Sequence, residues 1–150
     1  MKVTELAPAK LNPTLEVGEK HADGYHDLQS VMSCAALYDE ITLESGVGDG
    51  ITMDCDCPAL ACDETNLCVR AARLFYAGTG IGCDSLRISL KKRIPMQAGL
   101  GGGSADGAAV LRALNRHFGS PLSILALARE KNIRAGVVLS AVGCVSAAKV

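Results

Sequence analysis

The 150-residue sequence has no tryptophan, only three tyrosines and only two phenylalanines. Any core must therefore be built from alanine, leucine, valine and isoleucine. No stretch approaches the roughly 20 apolar residues that a membrane-spanning helix needs. The first residues, "MKVTELAPAKLNPTLEV", are interrupted by Glu5, Pro8 and Lys10. They lack both the apolar core of a signal peptide and the Arg- and Ser-rich bias of a transit peptide. The expected location is therefore the cytoplasm. Charge of one sign is also missing, since the formal net charge is only -1. That balance argues against nucleic acid or an anionic membrane as the main partner. An anion site, if present, must be local.

The seven cysteines contain no C-x₂-C pair, and the cluster "CDCPALACDETNLC" has no histidine nearby. Both are usual in structural zinc sites. We read these cysteines as free, small apolar side chains and expect no metal and no disulfide. With 49% hydrophobic and 21% charged residues, the chain has an ordinary globular mixture. Its length predicts one domain.

What is abundant is glycine, and at one place. "PMQAGLGGGSADGAAVLRALN" (Pro95 to Asn115) sets Gly99, Gly101, Gly102, Gly103 and Gly107 together and then turns helical. Glycine is entropically costly unless the backbone must adopt φ > 0 or admit a close neighbour. An ordinary turn needs one or two.

Elsewhere, residues 2–6 and 11–17 read as extended, and "GEKHADGYH" (Gly18 to His26) reads as a polar turn. Asp39 to Ser45 alternates as a strand with one wet face, and Gly50 to Cys55 is expected to pair with it across the Gly46–Gly50 turn. Leu67, Ala71 and Leu74 fall at helical spacing, with Gly78 as the stop. Ser85 to Lys92 alternates again. After the glycine loop, a helix is expected from Ser104 to His117, with Leu111, Leu114 and Phe118 on one face, and a shorter one after Ser123. Hairpins come first and helices are interleaved late, which suggests an α+β fold.

Strand, glycine loop and helix occur in the order that builds an anion site. Ser104 is placed to cap the helix or to turn its hydroxyl to a phosphate or metal ion. The "KKR" run (Lys91, Lys92, Arg93) stands just upstream. The loop lacks the Lys-Ser/Thr ending of a P-loop. No acidic ribose partner stands about 20 residues on, as a dinucleotide fingerprint requires.

Several motifs together make the pattern more specific. The loop "PMQAGLGGGSADGAA" resembles the ATP-binding loop of the galactokinase, homoserine, mevalonate and phosphomevalonate (GHMP) kinases. "APAKLN" (Ala7 to Asn12), "ADGYHDLQSVM" (Ala22 to Met32), "LYDEITLE" (Leu37 to Glu44) and "ETNLCVRAARL" (Glu64 to Leu74) occur in the order and spacing of one branch of that family. That branch acts on a CDP-linked methylerythritol in non-mevalonate isoprenoid precursor biosynthesis. The resemblance covers roughly residues 3–130.

It implies the family's amino-terminal domain, ribosomal protein S5 domain 2-like in fold, with the second domain absent from residues 1–150. It also implies ATP-dependent phosphorylation of the 2-hydroxyl of CDP-methylerythritol, with Mg²⁺. Lys10 falls on the family's active-site lysine, although by itself it reads as a solvated charge at a strand end. Pro95, Met96, Gln97, Ala98, Gly99, Leu100, Gly101, Gly102, Gly103, Ser104 and Ala105 fall on the nucleotide loop, with Ala105 in place of a family serine. Asn66 and Leu67 fall on the adenine pocket and make equal sense as a helix N-cap and its first core residue. Asn12, Tyr25 and His26 fall on substrate-binding positions, the last two on a cytidine-recognising pair.

The pattern breaks after the second helix. Where the family has Gly-Ala-Asp-Val-Pro-Phe, this chain reads "RAGVVLS", which places Gly136 on the family's base and Val138 on its proline. No acidic residue follows Glu130. Three readings stay open: the amino-terminal part of a working kinase, a nucleotide-binding relative that does not turn over, and an interaction domain on the same scaffold.

Overall fold

In a computed structural model, residues 2–122 are described apart from 23, 25, 47 and 84, together with 148–149. Tyr25, the helix expected after Ser123, Gly136 and Val138 lie outside these. The elements run β1 (Lys2–Lys20), β2 (His26–Ser45), β3 (Gly50–Cys55), α1 (Leu67–Thr79), β4 (Ser85–Lys91), α2 (Gly102–His117) and β5 (Ala148–Lys149). The architecture is α+β, as expected.

The two extended segments foreseen near the start are one long strand. β1 and β2 form an antiparallel hairpin that runs far beyond the rest of the sheet, with register shifts at Pro8/Lys10, Leu11/Thr14 and Val17/Lys20. β1 is an edge strand, and Pro13 sits at the second of these shifts, where a missing N–H costs the ladder least.

The sheet order is β1-β2-β4-β3, with β5 against the outer part of β2. β3 does not pair with β2 as the short Gly46–Gly50 turn suggests. It lies parallel to β4, from Gly50 opposite Ser85 to Cys55 opposite Leu90. β4 is inserted between them, antiparallel to β2. That insertion lets Leu86, Ile88 and Leu90 occupy the centre of the buried face.

One face of the sheet is covered and the other is wet. Ala7, Ile41, Leu43, Leu86, Ile88 and Leu90 point into a single core with α1 and α2. The opposite face carries Lys2–Glu44, Lys91–Glu40 and Arg87–Asp54 ion pairs. Helix α2 lies over β1 and β2 and packs against α1. Its alanines, among them Ala105, Ala108, Ala109 and Ala113, are buried and allow close approach. A Cβ at Gly107 would stand 3.2 Å from the carbonyl oxygen of Leu67, so the two helices pack closely there. Among the described residues no helix lies over the hairpin beyond Lys10, and Leu15 and Val17 are more than half exposed.

Two details of the helices differ from the sequence expectation. The buried side of α1 is Cys68, Val69, Ala71, Ala72, Phe75 and Tyr76, rotated from a Leu67–Leu74 face because Phe75 and Tyr76 claim the core. The helix also runs through Gly78 and stops at Gly80, whose φ is 69° and whose N–H donates to the Tyr76 carbonyl. Among the described cysteines, Cys55, Cys57, Cys62, Cys68 and Cys83 are free thiols. Cys34 is disulfide-bonded, contrary to the expectation from composition; spacing along the chain says nothing about approach through space. Among the described residues, no helix is long and apolar enough to cross a membrane.

The position of the α1 stop is directly testable. Gly78→Ala should stabilise the fold by about 0.5–1 kcal/mol, because alanine is the better helix interior residue. Gly80→Ala should destabilise it by about 1–2 kcal/mol, because a Cβ is unfavourable in the left-handed region. Urea midpoints of the two variants that shift in the same direction would place the stop elsewhere.

Candidate functional site

The glycine loop leaves the sheet after Lys91. Its backbone is left-handed at every second residue: Gln97 (φ 58°), Gly99 (φ 74°) and Gly101 (φ 68°). Such alternation curls successive N–H groups into a concave nest that suits an anion. Gln97 takes this conformation without being glycine, at a cost of about 1–2 kcal/mol. The loop is held to the sheet by a bond from the Lys10 N–H to the Leu100 carbonyl, 2.8 Å.

Helix α2 begins two residues earlier than expected. Gly102 and Gly103 are its first helical residues, Gly101 is the N-cap, and Ser104 lies inside the first turn. No side chain caps this end, and no acidic residue occupies its first turn. The first intrahelical bond joins the Ala105 N–H to the Gly101 carbonyl, 3.0 Å. The amides of Gly102, Gly103 and Ser104 therefore have no partner within the helix. They carry the positive end of its dipole.

Beside this end lies a cavity of about 760 Å³. Residues 95–104 form one wall, and Asn66, Leu67 and Arg70 of the α1 start form the other. Asn66 is held in place as the α1 N-cap. Its Oδ1 accepts from the Cys68 N–H at 2.9 Å, and its Nδ2 donates to the Ala61 carbonyl at 2.6 Å. Ala105 stands behind the loop, buried, with its N–H already bonded to Gly101.

Lys10 borders the loop from β1. Its methylenes lie over Gly101, where a Cβ would stand 3.0 Å from Lys10 Cγ. Its ammonium donates to Asn12 Oδ1. Asn12 Nδ2 in turn donates to Ser30 Oγ at 2.6 Å, and that hydroxyl donates to the Thr14 carbonyl at 2.7 Å. Ser30 is thus a site neighbour that the sequence did not single out, because only the register shift between Leu11 and Thr14 lets Asn12 reach a serine that stands opposite Leu15. His26 is not gathered with the loop. It sits at the hairpin tip opposite Lys20, its Nδ1 3.2 Å from the Gly18 carbonyl.

The "KKR" run does not present three free cations. Lys91 pairs with Glu40 on the wet face of the sheet, and Arg93 pairs with Asp56. Lys92 turns inward beneath the helix start, where a Cβ on Gly102 would stand 2.9 Å from its Nζ. Its ammonium binds Asp39 Oδ2 and, at 2.9 Å, Asp106 Oδ2. Asp39 Oδ1 also accepts the N–H groups of Arg93 and Ile94. All three side chains are at least 92% buried, Lys92 being the most exposed at 8%.

Asp106 Oδ1 is buried and has no hydrogen-bond partner among the described residues. Burial pushes the Asp106 carboxyl up to about 7, helped by the negative charge of Asp39 and opposed by Lys92. Burial disfavours the charge on Lys92 too, but its bonds to the two carboxylates more than offset this and hold the ammonium above its ordinary range. Burial likewise drives the Cys68 thiol well above its usual value, with the nearby Asp106 charge adding to the effect.

These shifts make stability depend on pH. In the unfolded chain Asp106 ionises near 3.8, whereas in the fold it keeps its proton to about 7. The folded state therefore binds more protons in that window, and the contribution of Asp106 to stability is lost as pH rises through it. The slope should be on the order of 1 kcal/mol per pH unit. Urea unfolding of the unmodified chain and of Asp106→Asn between pH 4 and 8 should differ by this slope, whereas contributions from the surface carboxylates cancel. Parallel curves would refute it.

The comparisons with known proteins agree with this geometry. The family described as the GHMP kinases N-terminal domain matches residues 66–145. The 4-diphosphocytidyl-2-C-methyl-D-erythritol kinase of Desulfotalea psychrophila is 47% identical over 111 residues, 73% of this chain and 37% of that protein. A crystal structure of 4-(cytidine 5'-diphospho)-2C-methyl-D-erythritol kinase superposes with a TM-score of 0.74 at 37% identity, covering 91% of this chain and 48% of that one. The homoserine kinase of Cytophaga hutchinsonii, at 22% identity and a TM-score of 0.68, shares the fold. The chain thus spans less than half the length of these relatives. With its glycine loop, its open α2 start and these likenesses, the chain belongs to the GHMP kinases and carries their amino-terminal domain.

Proposed function

We propose that this domain is the nucleotide-holding part of a kinase that uses ATP to phosphorylate the 2-hydroxyl of CDP-methylerythritol. One observation supports it most. The alternating left-handed loop and the uncapped first turn of α2 line one cavity, and the Lys10 side chain lies against Gly101 of that loop. Phosphoryl transfer needs little covalent chemistry from the protein. It needs positioning and stabilisation of the charge that builds on the transferred group. Backbone amides in a nest and at a helix start meet that need without side-chain reorganisation.

The loop and the α2 start hold the phosphates, and Asn66 and Leu67 face the base-bearing end of the nucleotide. Lys10, oriented by its bond to Asn12, stabilises the transferred phosphoryl from the β1 side. An ammonium does not accept a proton at neutral pH, so Lys10 is no general base. Gly136, on the family's base position, is outside the described residues and has no side chain to take a proton.

Nucleotide-borne Mg²⁺ would neutralise phosphate charge. Among the described residues no group of three or more metal-ligating side chains is assembled. That suits an ion that keeps several waters and takes one or two protein groups beside the phosphates. The Ser104 hydroxyl, in the first turn of α2 and on the cavity wall, is the side chain that would reach it. His26, at the hairpin tip, and Tyr25, which precedes it in the sequence, would hold the cytidine end by imidazole hydrogen bonds and by stacking.

Titration with ATP and Mg²⁺, followed by backbone amide shifts, should move signals across residues 95–105 and leave β3 unchanged. Gly102→Val should abolish those shifts, because the added side chain meets Lys92 and Ile94. Binding that survives the substitution would reduce the loop to a turn. Tyr25→Ala and His26→Ala should weaken CDP-methylerythritol binding by about tenfold or more and spare ATP, given the usual strength of base–aromatic stacking. Equal loss of both ligands would overturn the assignment of the hairpin tip to cytidine.

A further inference from the structure

The mechanism above leaves one buried group unused, the Asp106 carboxyl. It projects from the second turn of α2 to the floor of the cavity that receives the phosphates, with its side chain 3% exposed. The two carboxylates around Lys92 are not equivalent. Asp39 is fully engaged, one oxygen taking the Arg93 and Ile94 amides and the other taking Lys92. Asp106 gives Oδ2 to Lys92, and among the described residues its Oδ1 has no donor. Within this cluster, the oxygen without a donor belongs to Asp106.

With both carboxylates ionised, the cluster of Asp39, Lys92 and Asp106 has a net charge of −1. It lies directly beneath the amides that meet an incoming anion. Phosphate charge arriving there repels the Asp106 charge, attracts Lys92 and so favours the protonated acid. We propose that Asp106 is the proton-linked positioning residue of the phosphate cradle, taking one proton from solvent onto Oδ1 as a nucleotide phosphate docks on the start of α2. The cluster then becomes neutral, and the protonated acid can donate to the Asp39 carboxylate beside it. The Lys92 bond to Oδ2 stays in place, so the helix start keeps its position in both states. This rests on the reading of the loop as a nucleotide phosphate site.

The groups around Asp106 are consistent with that assignment. Lys92 and Asp39 face it from the sheet side. From α1 come Cys68, whose thiol stays protonated, and Arg70, which lines the same cavity. From β1, Lys10 lies over Gly101, and Glu5 is taken by Arg112 and Arg116 of α2 itself. Asp106 already holds its proton to about pH 7 when the cavity is empty. Anion binding extends that range upward, so affinity must rise as pH falls.

The test is ATP binding to the full 150-residue chain and to Asp106→Asn, by calorimetry in buffers of different ionisation enthalpy between pH 6.5 and 8.5. The nucleotide's own protonation cancels between the two proteins. The unmodified chain should take up about 0.5–1 proton more than the variant at pH 8, and its affinity should fall severalfold more across the range. Asp106→Asn, which keeps an oxygen for Lys92, should bind at least as well as the unmodified chain at pH 8.5. A merely structural Asp106 would instead weaken binding equally at every pH, and equal proton counts would overturn the proposal.

Should the variant not fold, carboxyl ¹³C titration of the unmodified chain decides. One aspartate should titrate near neutrality and move upward with saturating ATP; a midpoint that ATP leaves in place refutes the linkage. Absence of ATP binding by the unmodified chain at pH 6.5 would overturn the phosphate-site reading, and this proposal with it. Binding without proton uptake would overturn this proposal alone.

Discussion

The buried contact of Lys92 with Asp39 and Asp106 ties together the three parts that make the site. Asp39 belongs to β2, Lys92 to the exit from β4, and Asp106 to α2. Asp39 also receives the first amides of the loop, so a single carboxylate fixes where the chain leaves the sheet. A buried charge without its partner is expensive, which makes the arrangement intolerant of losing Lys92 or Asp39. The helix start thereby faces the cavity with its amides free, although it lies against a lysine.

The same contact explains why positive charge near the loop is scarce on the surface. Of the three consecutive cations, one is locked under the helix and two are paired elsewhere. In the proposed function the attraction for an anion comes from backbone amides and the helix dipole, with Lys10 beside the loop. These dipoles are set by the fold and need no rearrangement when charge develops, which is how electrostatic preorganisation works. Lys10 is itself positioned by Asn12 and Ser30, so the hairpin contributes geometry as well as a charge.

Much of the molecule was legible in the sequence. The alternation from Ser85 to Lys92 marked β4, and Asn66 marked the start of α1. The loop announced itself through glycines. Three things could not be read along the chain. β3 joins β4 in parallel, because burial of a whole strand face outweighed the short turn to β2. Ser30 meets Asn12 only through the break in strand register between Leu11 and Thr14. The stop of α1 moved from Gly78 to Gly80, because two glycines so close are equivalent until the helix C-terminus selects which becomes left-handed.

By itself, the sequence determined the α+β class, the strand–loop–helix order, the glycine cradle and the kinship with a kinase family. These depend on local spacing and composition, which are one-dimensional properties. Only the tertiary structure decided that Gly102 and Gly103 open a helix, that Lys92 is buried between two aspartates, and that Asp106 keeps an oxygen unpaired beneath the cradle. Each of those depends on which residues, far apart in the chain, share one dry volume. There the energy of a charge is set by its neighbours in space.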